Sequence, residues 1–249
     1  MIAIARSTAK SRRVTNHPSR IWPVALAILW SAAAPAAAQM AGSVTVDSDY
    51  RYRGYSLSDG KPVASAQLSY DDQSGFYLNG ALTGVARSEG LDFLGYEANF
   101  GFARRVSTTV SVDAGVVRSL YRYPVYGVER SGSYDEAYVG LNAHNISARV
   151  SYSPHYFRPG ATTLYGEVEA GFQPAAKWRL SGHAGVLKYL TAPEYFDDRT
   201  RFDWRLSASR EFGRLELHSA LSGGSARRRY SYHTGDSGIA LTAGATLNF

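Results

Sequence analysis

The sequence predicts an all-β protein, a transmembrane antiparallel up-and-down β-barrel of about twelve strands preceded by a cleaved signal peptide. Three observations lead to this prediction. The chain begins like an export signal, its later segments alternate apolar and polar residues, and its long connections alternate with short ones. Helical patterns are poor, whereas 24 glycines and 18 tyrosines favour strands and turns.

Residues 1–38 have the composition of a secretory signal peptide. The segment contains five basic residues and no acid, continues with an apolar run at 21–30, and ends in small residues up to Ala38. This order predicts cleavage after Ala38, which leaves residues 39–249 as the barrel domain beyond the inner membrane. A membrane anchor is the alternative, but spanning a bilayer takes about 20 apolar residues, and Pro23 interrupts a shorter run.

The net charge of +6 belongs mostly to this first segment. Five of the 27 Lys and Arg residues lie in it, so the remainder has 22 basic residues against 21 acids. We therefore expect no nucleic-acid partner. The chain has no cysteine, which excludes disulfides, thiolate metal sites and a cysteine nucleophile. Its histidines lack metal-ligand spacing, so we expect neither a metal nor another cofactor.

A period of two residues separates an apolar from a polar face in nine segments. In the first segment, Val44, Val46, Ser48, Tyr50 and Tyr52 oppose Thr45, Asp47, Asp49, Arg51 and Arg53. Because successive side chains of a strand point to opposite faces, we expect the apolar set to face outward and the polar set inward. The other segments lie at 64–70, 94–102 with Leu94 outward, 109–116, 162–172, 178–186, 201–208, 215–221 and 239–249, and weaker patterns at 76–85, 134–143 and 146–157 complete twelve strands.

The connections between these strands alternate in length. We expect open connections at 55–61, 86–92, 122–133, 158–161, 191–199 and 222–237, and tight ones at 71–75, 104–107, 144–145, 173–176 and 213–214. Long extracellular loops and short periplasmic turns are typical of outer-membrane barrels. A β-sandwich also alternates its faces, but charges in register on the polar face and aromatic residues at the ends of the apolar face favour the barrel.

The polar faces supply a predicted lumen lining. Nine acids against six arginines in it predict mixed or mildly cation-favouring passage. The predicted lining residues are Asp47, Asp49, Arg51, Arg53, Glu97, Asp113, Glu136, Arg149, Glu167, Glu169, Arg179, His183, Arg201, Asp203, Arg205, Glu216 and His218.

Two segments resemble known patterns. Thr242, Gly244, Leu247 and Phe249 look like the C-terminal signal by which the insertion machinery recognises outer-membrane barrels. Residues 48–62 (SDYRYRGYSLSDGKP), with Ser74 to Tyr77, resemble the TorF family of outer-membrane porins, first catalogued as proteobacterial proteins of unknown function. The resemblance covers roughly 40 residues and implies an outer-membrane location and the porin class. It ends after Tyr77, where the family tends to have Gly and Trp and this chain has Leu78 to Leu82.

Residues 48–62 can also be interpreted without the family. Opposite charges at Asp49, Arg51 and Arg53 can pair inside the barrel, and Tyr50 and Tyr52 are expected at the membrane interface. The segment either only fixes strand register and the first turn or takes a direct part in permeation.

The functional prediction is passive permeation of small hydrophilic solutes. Eight strands give a filled interior and 16 to 18 an open channel, so about twelve imply a narrow or partly plugged pore. Alternatives are a barrel-embedded lipid hydrolase or acyltransferase and a packed structural or adhesive barrel. No catalytic residue is assigned, and we expect no enzyme. Besides solutes, outer-membrane lipids and lipopolysaccharide are expected partners, the latter through Arg227, Arg228 and Arg229 in the last long connection.

Overall fold

The structure, a computed structural model, describes residues 39–125, 128–191, 199–225 and 238–249, with the backbone alone for 123–125 and 128–130. The predicted signal peptide at 1–38 and Arg227, Arg228 and Arg229 lie outside these residues. None of the described residues forms a helix long and apolar enough to cross a membrane. The strands are β1 (Gln39–Asp47), β2 (Arg51–Tyr52), β3 (Tyr55–Ser56), β4 (Val63–Asp71), β5 (Phe76–Arg87), β6 (Gly90–Arg105), β7 (Val110–Val125), β8 (Val128–Ala143), β9 (Ile146–Ser153), β10 (Thr162–Ala175), β11 (Trp178–Thr191), β12 (Thr200–Phe212), β13 (Leu215–Gly224) and β14 (Ala240–Asn248).

Twelve of these strands form one closed antiparallel barrel, which confirms the predicted fold class. Each strand from β4 to β13 pairs with the next along the chain, and β1 pairs with both β4 and β14. Val44, for example, lies opposite Ala66 on one side and Leu247 on the other. The remaining two strands, β2 and β3, pair only with each other.

The outer surface of the barrel is apolar. Outward-facing aliphatic side chains stay exposed, among them Val46 at 52%, Val116 at 55% and Leu241 at 75%. Phe76 stacks beside Phe100 on the same face, with ring centroids 5.8 Å apart. A continuous apolar surface of this kind, around a polar interior, is the inverse of a water-soluble fold and suits a lipid environment.

Closure depends on the first and last strands. Gly42 and Phe249 exchange two backbone hydrogen bonds of 2.9 Å, and the Phe249 ring lies against Gly42, where a larger residue would collide with it. Above them, Ser48 N donates to Ala243 O at 2.9 Å. Of the predicted insertion signal, Leu247 and Phe249 face outward, at 50% and 57% exposure. Recognition of this strand by the insertion machinery stays a prediction.

The prediction for the first strand was wrong beyond Asp47. The strand ends there, and Tyr50 and Tyr52 lie inside the barrel and pack against its buried aromatic cluster instead of facing the membrane interface. The cause is a two-residue turn at Arg53 and Gly54, whose φ angles of 44° and 82° reverse the chain between β2 and β3. A hairpin turn with two positive φ angles folds the segment back on itself.

Two further expectations were wrong at the end of the barrel that carries residues 48–62. Leu94, expected outward, is buried because a β-bulge interrupts the register between Thr83 and Gly84 and turns Leu94 to the inside. The connections expected at 86–92 and 122–133 are mostly strand. β6, β7 and β8 each have 16 residues, more than the roughly 9 to 11 that a membrane span requires, so these hairpins extend beyond it.

Val116 and Val117 provide a matched test of the two faces of β7. Val116 is outward-facing, whereas Val117 lines the interior opposite Glu136. We expect Val116→Arg to lower the free energy of unfolding by about 2–4 kcal/mol, because a charge in the lipid face must leave water. Val117→Arg should cost much less, since it gains an acidic neighbour. Urea titration of the protein folded in lipid vesicles measures both, and equal losses would contradict the assigned faces.

Candidate functional site in the barrel lumen

Residues 48–62 enter the lumen as a compact segment, called here the plug. The Asp49 carboxylate accepts hydrogen bonds from the hydroxyls of Ser56 and Ser58, the latter at 2.7 Å, and from the Arg51 guanidinium at 3.3 Å. Leu57 N donates to Tyr50 O at 2.8 Å. The segment therefore holds its own shape around one carboxylate.

Arg53 lies at the tip of the plug and binds the barrel wall. Its two terminal nitrogens donate to the two carboxylate oxygens of Glu136 on β8, both at 2.8 Å. Its guanidinium carbon lies 3.8 Å from the ring centroid of Tyr165 and 5.3 Å from that of Tyr156. The arginine and glutamate side chains are only 9% and 5% exposed. Planar bidentate pairing and stacking on aromatic faces are properties of arginine that lysine lacks.

Tyrosines surround this ion pair. Tyr50 and Tyr121 share a hydrogen bond of 2.9 Å, and Tyr134 donates to the Tyr52 hydroxyl at 2.6 Å. Burial raises the pKa of Tyr50 to about 12, so its hydroxyl remains protonated at neutral pH. The buried aromatic residues on the wall and in the plug form one continuous cluster, which seats the plug firmly.

The plug crosses the lumen from wall to wall. It contacts β8 through Arg53 and, five positions further round the barrel, β13 near Gly224. At Gly54 an added Cβ would lie 3.2 Å from the Asp203 Cβ and 3.3 Å from the Gly224 Cα, so backbone meets backbone there. A cavity of about 240 Å³ is bounded by residues 51–54 and by wall residues of β6 to β13.

The size of the barrel agrees with this obstruction. Strand spacing and tilt give a twelve-stranded barrel about 24 Å between opposite backbones, and inward side-chain layers of about 5 Å on each side leave about 14 Å. A β-hairpin with its side chains is about 10 Å across. One hairpin lying across the lumen therefore fills most of its width.

Polar contacts bridge non-adjacent strands by passing over glycines at several places, of which three show the arrangement most clearly. Asp113 and Arg149 pair at 3.2 Å across Gly140, and Asp47 and His218 lie 2.7 Å apart across Gly244. In the third, the hydroxyls of Tyr77 and Tyr138 meet over the paired glycines 101 and 115. A Cβ at Gly140 would overlap the Asp113 carboxylate, and one at Gly244 would overlap both Asp47 and His218. Glycine at these positions thus makes the inner wall a cross-linked polar surface.

A second polar cluster surrounds His183. Its Nε2 lies 2.9 Å from Asp203 Oδ1, and its Nδ1 lies 3.8 Å from Glu167. The Tyr165 hydroxyl donates to the Asp203 carboxylate at 3.1 Å, so the stacking partner of Arg53 also anchors this cluster. His183 and His218 are each engaged by an aspartate, which orients the imidazole.

The structure assigns the predicted lining residues to two places. Asp49, Arg51 and Arg53 lie in the plug, and the other fourteen lie on barrel strands, where alternation and register turn them inward. Among the described residues, Arg179, Arg205, Glu169 and Glu216 form no ion pair. Sequence reasoning missed several inward residues. Each follows the same period of two, because it lies two positions from a predicted lining residue or, for Glu211, opposite one: Tyr134, Tyr138, Tyr165 and Glu211.

A closed barrel with an apolar exterior and a charged, partly obstructed lumen has the architecture of outer-membrane porins. The structure is similar to the KdgM porin, at 13% identity and a TM-score of 0.53, covering 84% of this chain and 99% of that one. It is also similar to the NanC porin, at 8% identity and a TM-score of 0.57, covering 84% and 98%. A KdgM porin in complex with disordered oligogalacturonate matches at 12% identity and a TM-score of 0.52, covering 84% and 99%.

The sequence itself places the chain in a family. It belongs to the Gcw_chp family, described as bacterial proteins of unknown function, whose model matches residues 31–238. Comparison with curated proteins gives no significant match. The sequence thus gives the family and the structure gives the fold. Which solutes pass is a question for the charges and width of the lumen.

Gly140 and Gly166 test the bridges over glycine. We expect Gly140→Ala to lower the free energy of unfolding by about 1–3 kcal/mol, because the new methyl group displaces Asp113 and leaves buried polar groups without partners. Gly166→Ala on β10 is the matched control, since nothing lies within 4 Å of its added Cβ. Urea unfolding in lipid vesicles measures the difference. An alanine at 140 as well tolerated as one at 166 would contradict the bridge.

Proposed function

We propose that this protein is an outer-membrane porin of the TorF type that lets small hydrophilic solutes and ions pass, after export and removal of residues 1–38. The observation that carries the proposal is a polar, charged lumen inside a closed barrel whose outer surface is apolar. Contacts of Arg227, Arg228 and Arg229 with lipopolysaccharide phosphates, and recognition of the C-terminal strand by the insertion machinery, belong to the same proposal.

The charge of the lumen supports a preference for cations. The predicted lining has nine acids and six arginines, an excess of three negative charges with neutral histidines, and Glu211 adds a fourth. The pairs Asp49–Arg51, Glu136–Arg53 and Asp113–Arg149 neutralise themselves. Rings or clusters of acidic side chains favour cations in a narrow pore. The oligogalacturonate bound by the KdgM porin is a polyanion, so the lumen charge here argues for a different class of solute.

The second candidate is a packed structural barrel. It is favoured by one observation, the plug that crosses the lumen between β8 and β13. The two candidates differ in conductance, because a packed barrel has no continuous water path while a porin has one at least part of the time.

Ion selectivity in planar lipid bilayers tests the porin proposal. Purified protein should give discrete conductance steps, and its reversal potential in a salt gradient should favour cations. Replacing Glu169 and Glu216 together by Gln should bring the permeability ratio closer to unity, because it removes two of the excess negative charges. Replacing Arg179 and Arg205 by Gln should raise cation preference, since both arginines lack an ion pair among the described residues.

The controls for this measurement are a variant without the plug and an uninserted bilayer. Residues 49–61 are replaced by a short Gly-Ser turn, which leaves the lumen unobstructed. If neither the intact protein nor the plug-free variant conducts in several salts, the porin proposal is wrong and the packed barrel is favoured. Anion preference in both proteins would contradict the charge argument alone.

A further inference from the structure

The plug is an insertion that the barrel does not need for its own pairing. Asp47 and Val63, which precede and follow it, lie directly opposite each other in the ladder between β1 and β4. Fifteen residues therefore enter where a tight turn would suffice. In the described part of the chain, residues 49–60 make no backbone-to-backbone hydrogen bond with the wall. The plug can leave its position without breaking a single ladder bond of the barrel.

The polar contacts that hold the plug in place come from its side chains. They include the Arg53 pair with Glu136, the hydrogen bonds of Tyr50 and Tyr52, and the contact of Tyr55 with Arg201. Ser48 and Pro62 mark the two ends, where backbone bonds to Ala243 and Ala86 resume. The plug is thus attached to the barrel at Ser48 and Pro62, which lie close together, and is held at its tip by Arg53.

Arg53 occupies a turn position that does not suit arginine. Its φ of 44° is in the left-handed region, where Asn, Asp and Gly are favoured and an ordinary side chain is strained. The next residue, Gly54, has φ 82°. Asparagine would form this turn more easily, so the turn gains nothing from arginine. When a residue is kept in a strained conformation at a functional contact, its side chain is the reason that it is there.

We propose that Glu136 and Tyr165 of the barrel wall and Tyr156 of the β9–β10 connection form a guanidinium-binding site, and that the plug is a gate which this site latches shut by binding Arg53. The inference rests on the proposed porin function. A carboxylate that accepts two parallel hydrogen bonds and aromatic faces above and beside the cation are the chemistry that selects a guanidinium over an ammonium or a metal ion. When the gate opens, Arg53 and Glu136 separate and both charged groups become solvated.

The latch has a matched set of variants. Arg53→Asn keeps the turn and removes the guanidinium, and Glu136→Gln keeps the shape of the wall and removes its charge. Asp59→Asn is the control, because Asp59 also lies in the plug with a positive φ of 60° but belongs to no ion pair among the described residues. Circular dichroism in lipid vesicles verifies that each variant retains the barrel.

Single-channel recording in planar bilayers measures the ratio of open to closed time. We expect Arg53→Asn and Glu136→Gln each to raise this ratio at least roughly tenfold, because removing one partner of a buried ion pair leaves the other without compensation. Asp59→Asn should leave it unchanged. The plug-free variant gives the reference current of the fully open lumen.

Guanidinium chloride tests the chemistry of the site. The Arg53→Asn variant has a vacated site, so millimolar guanidinium should reduce its current, whereas the same concentration of sodium chloride should not. The double variant Arg53→Asn with Glu136→Gln should not respond to guanidinium, since the carboxylate is gone. A response that persists in the double variant would show block elsewhere in the lumen and overturn the assignment of the site.

The outcomes separate the gate from the pore. If the intact protein and Arg53→Asn conduct equally, or if Asp59→Asn opens the channel as much, the latch is wrong and the porin proposal stands. If the plug-free variant conducts while Arg53→Asn stays closed, the latch is also wrong. If the plug-free variant itself is silent, the pore proposal fails, and the gate fails with it.

Discussion

Closure of the sheet between β1 and β14 is the constraint on which the rest of the structure depends. In lipid, an unpaired backbone N–H or C=O has no water to bind, so a spanning sheet must leave no edge. The two hydrogen bonds between Gly42 and Phe249 begin that closing ladder. Once the sheet is closed, every strand residue faces either lipid or lumen, and the period of two fixes which.

The interior follows from closure. Polar side chains turned inward need partners, and a twelve-stranded wall is too wide for most of them to meet across the lumen. Two devices in the structure solve this. Glycines let partners two or three strands apart meet along the wall, as at Gly140 and Gly244, and the plug brings further partners to the centre. Arg53 illustrates the second device, since its only route to Glu136 is through the lumen.

The sequence predicts the position of a residue in this fold when residues near it in the chain determine that position. Asp113 and Arg149 are predictable as lining residues, because alternation alone turns them inward. Tyr50 and Tyr52 are not, because the alternation of β1 continues unbroken through them although the strand has ended. The decisive event is the Arg53–Gly54 turn, and its direction into the lumen depends on tyrosines of β7 and β8 that are distant in sequence.

Leu94 is an intermediate case. The outward residues change parity, from Leu91 and Phe93 to Tyr96 and Ala98, and this change is visible in the sequence. A single inserted residue in the ladder accounts for it. The charges of the candidate site were therefore predictable, but its geometry only partly. The ion pairs depend on which side chains of non-adjacent strands can meet over a glycine.

The direct pairing of Asp47 with Val63 also bears on how such proteins diversify. Because these two residues already pair, a segment of another length or composition between them would leave the strand register on either side unchanged. Selection can then act on what the barrel admits separately from how the barrel is built. Barrels with the same wall and a different segment at this position would share one architecture and differ in the free width and the charge of the lumen.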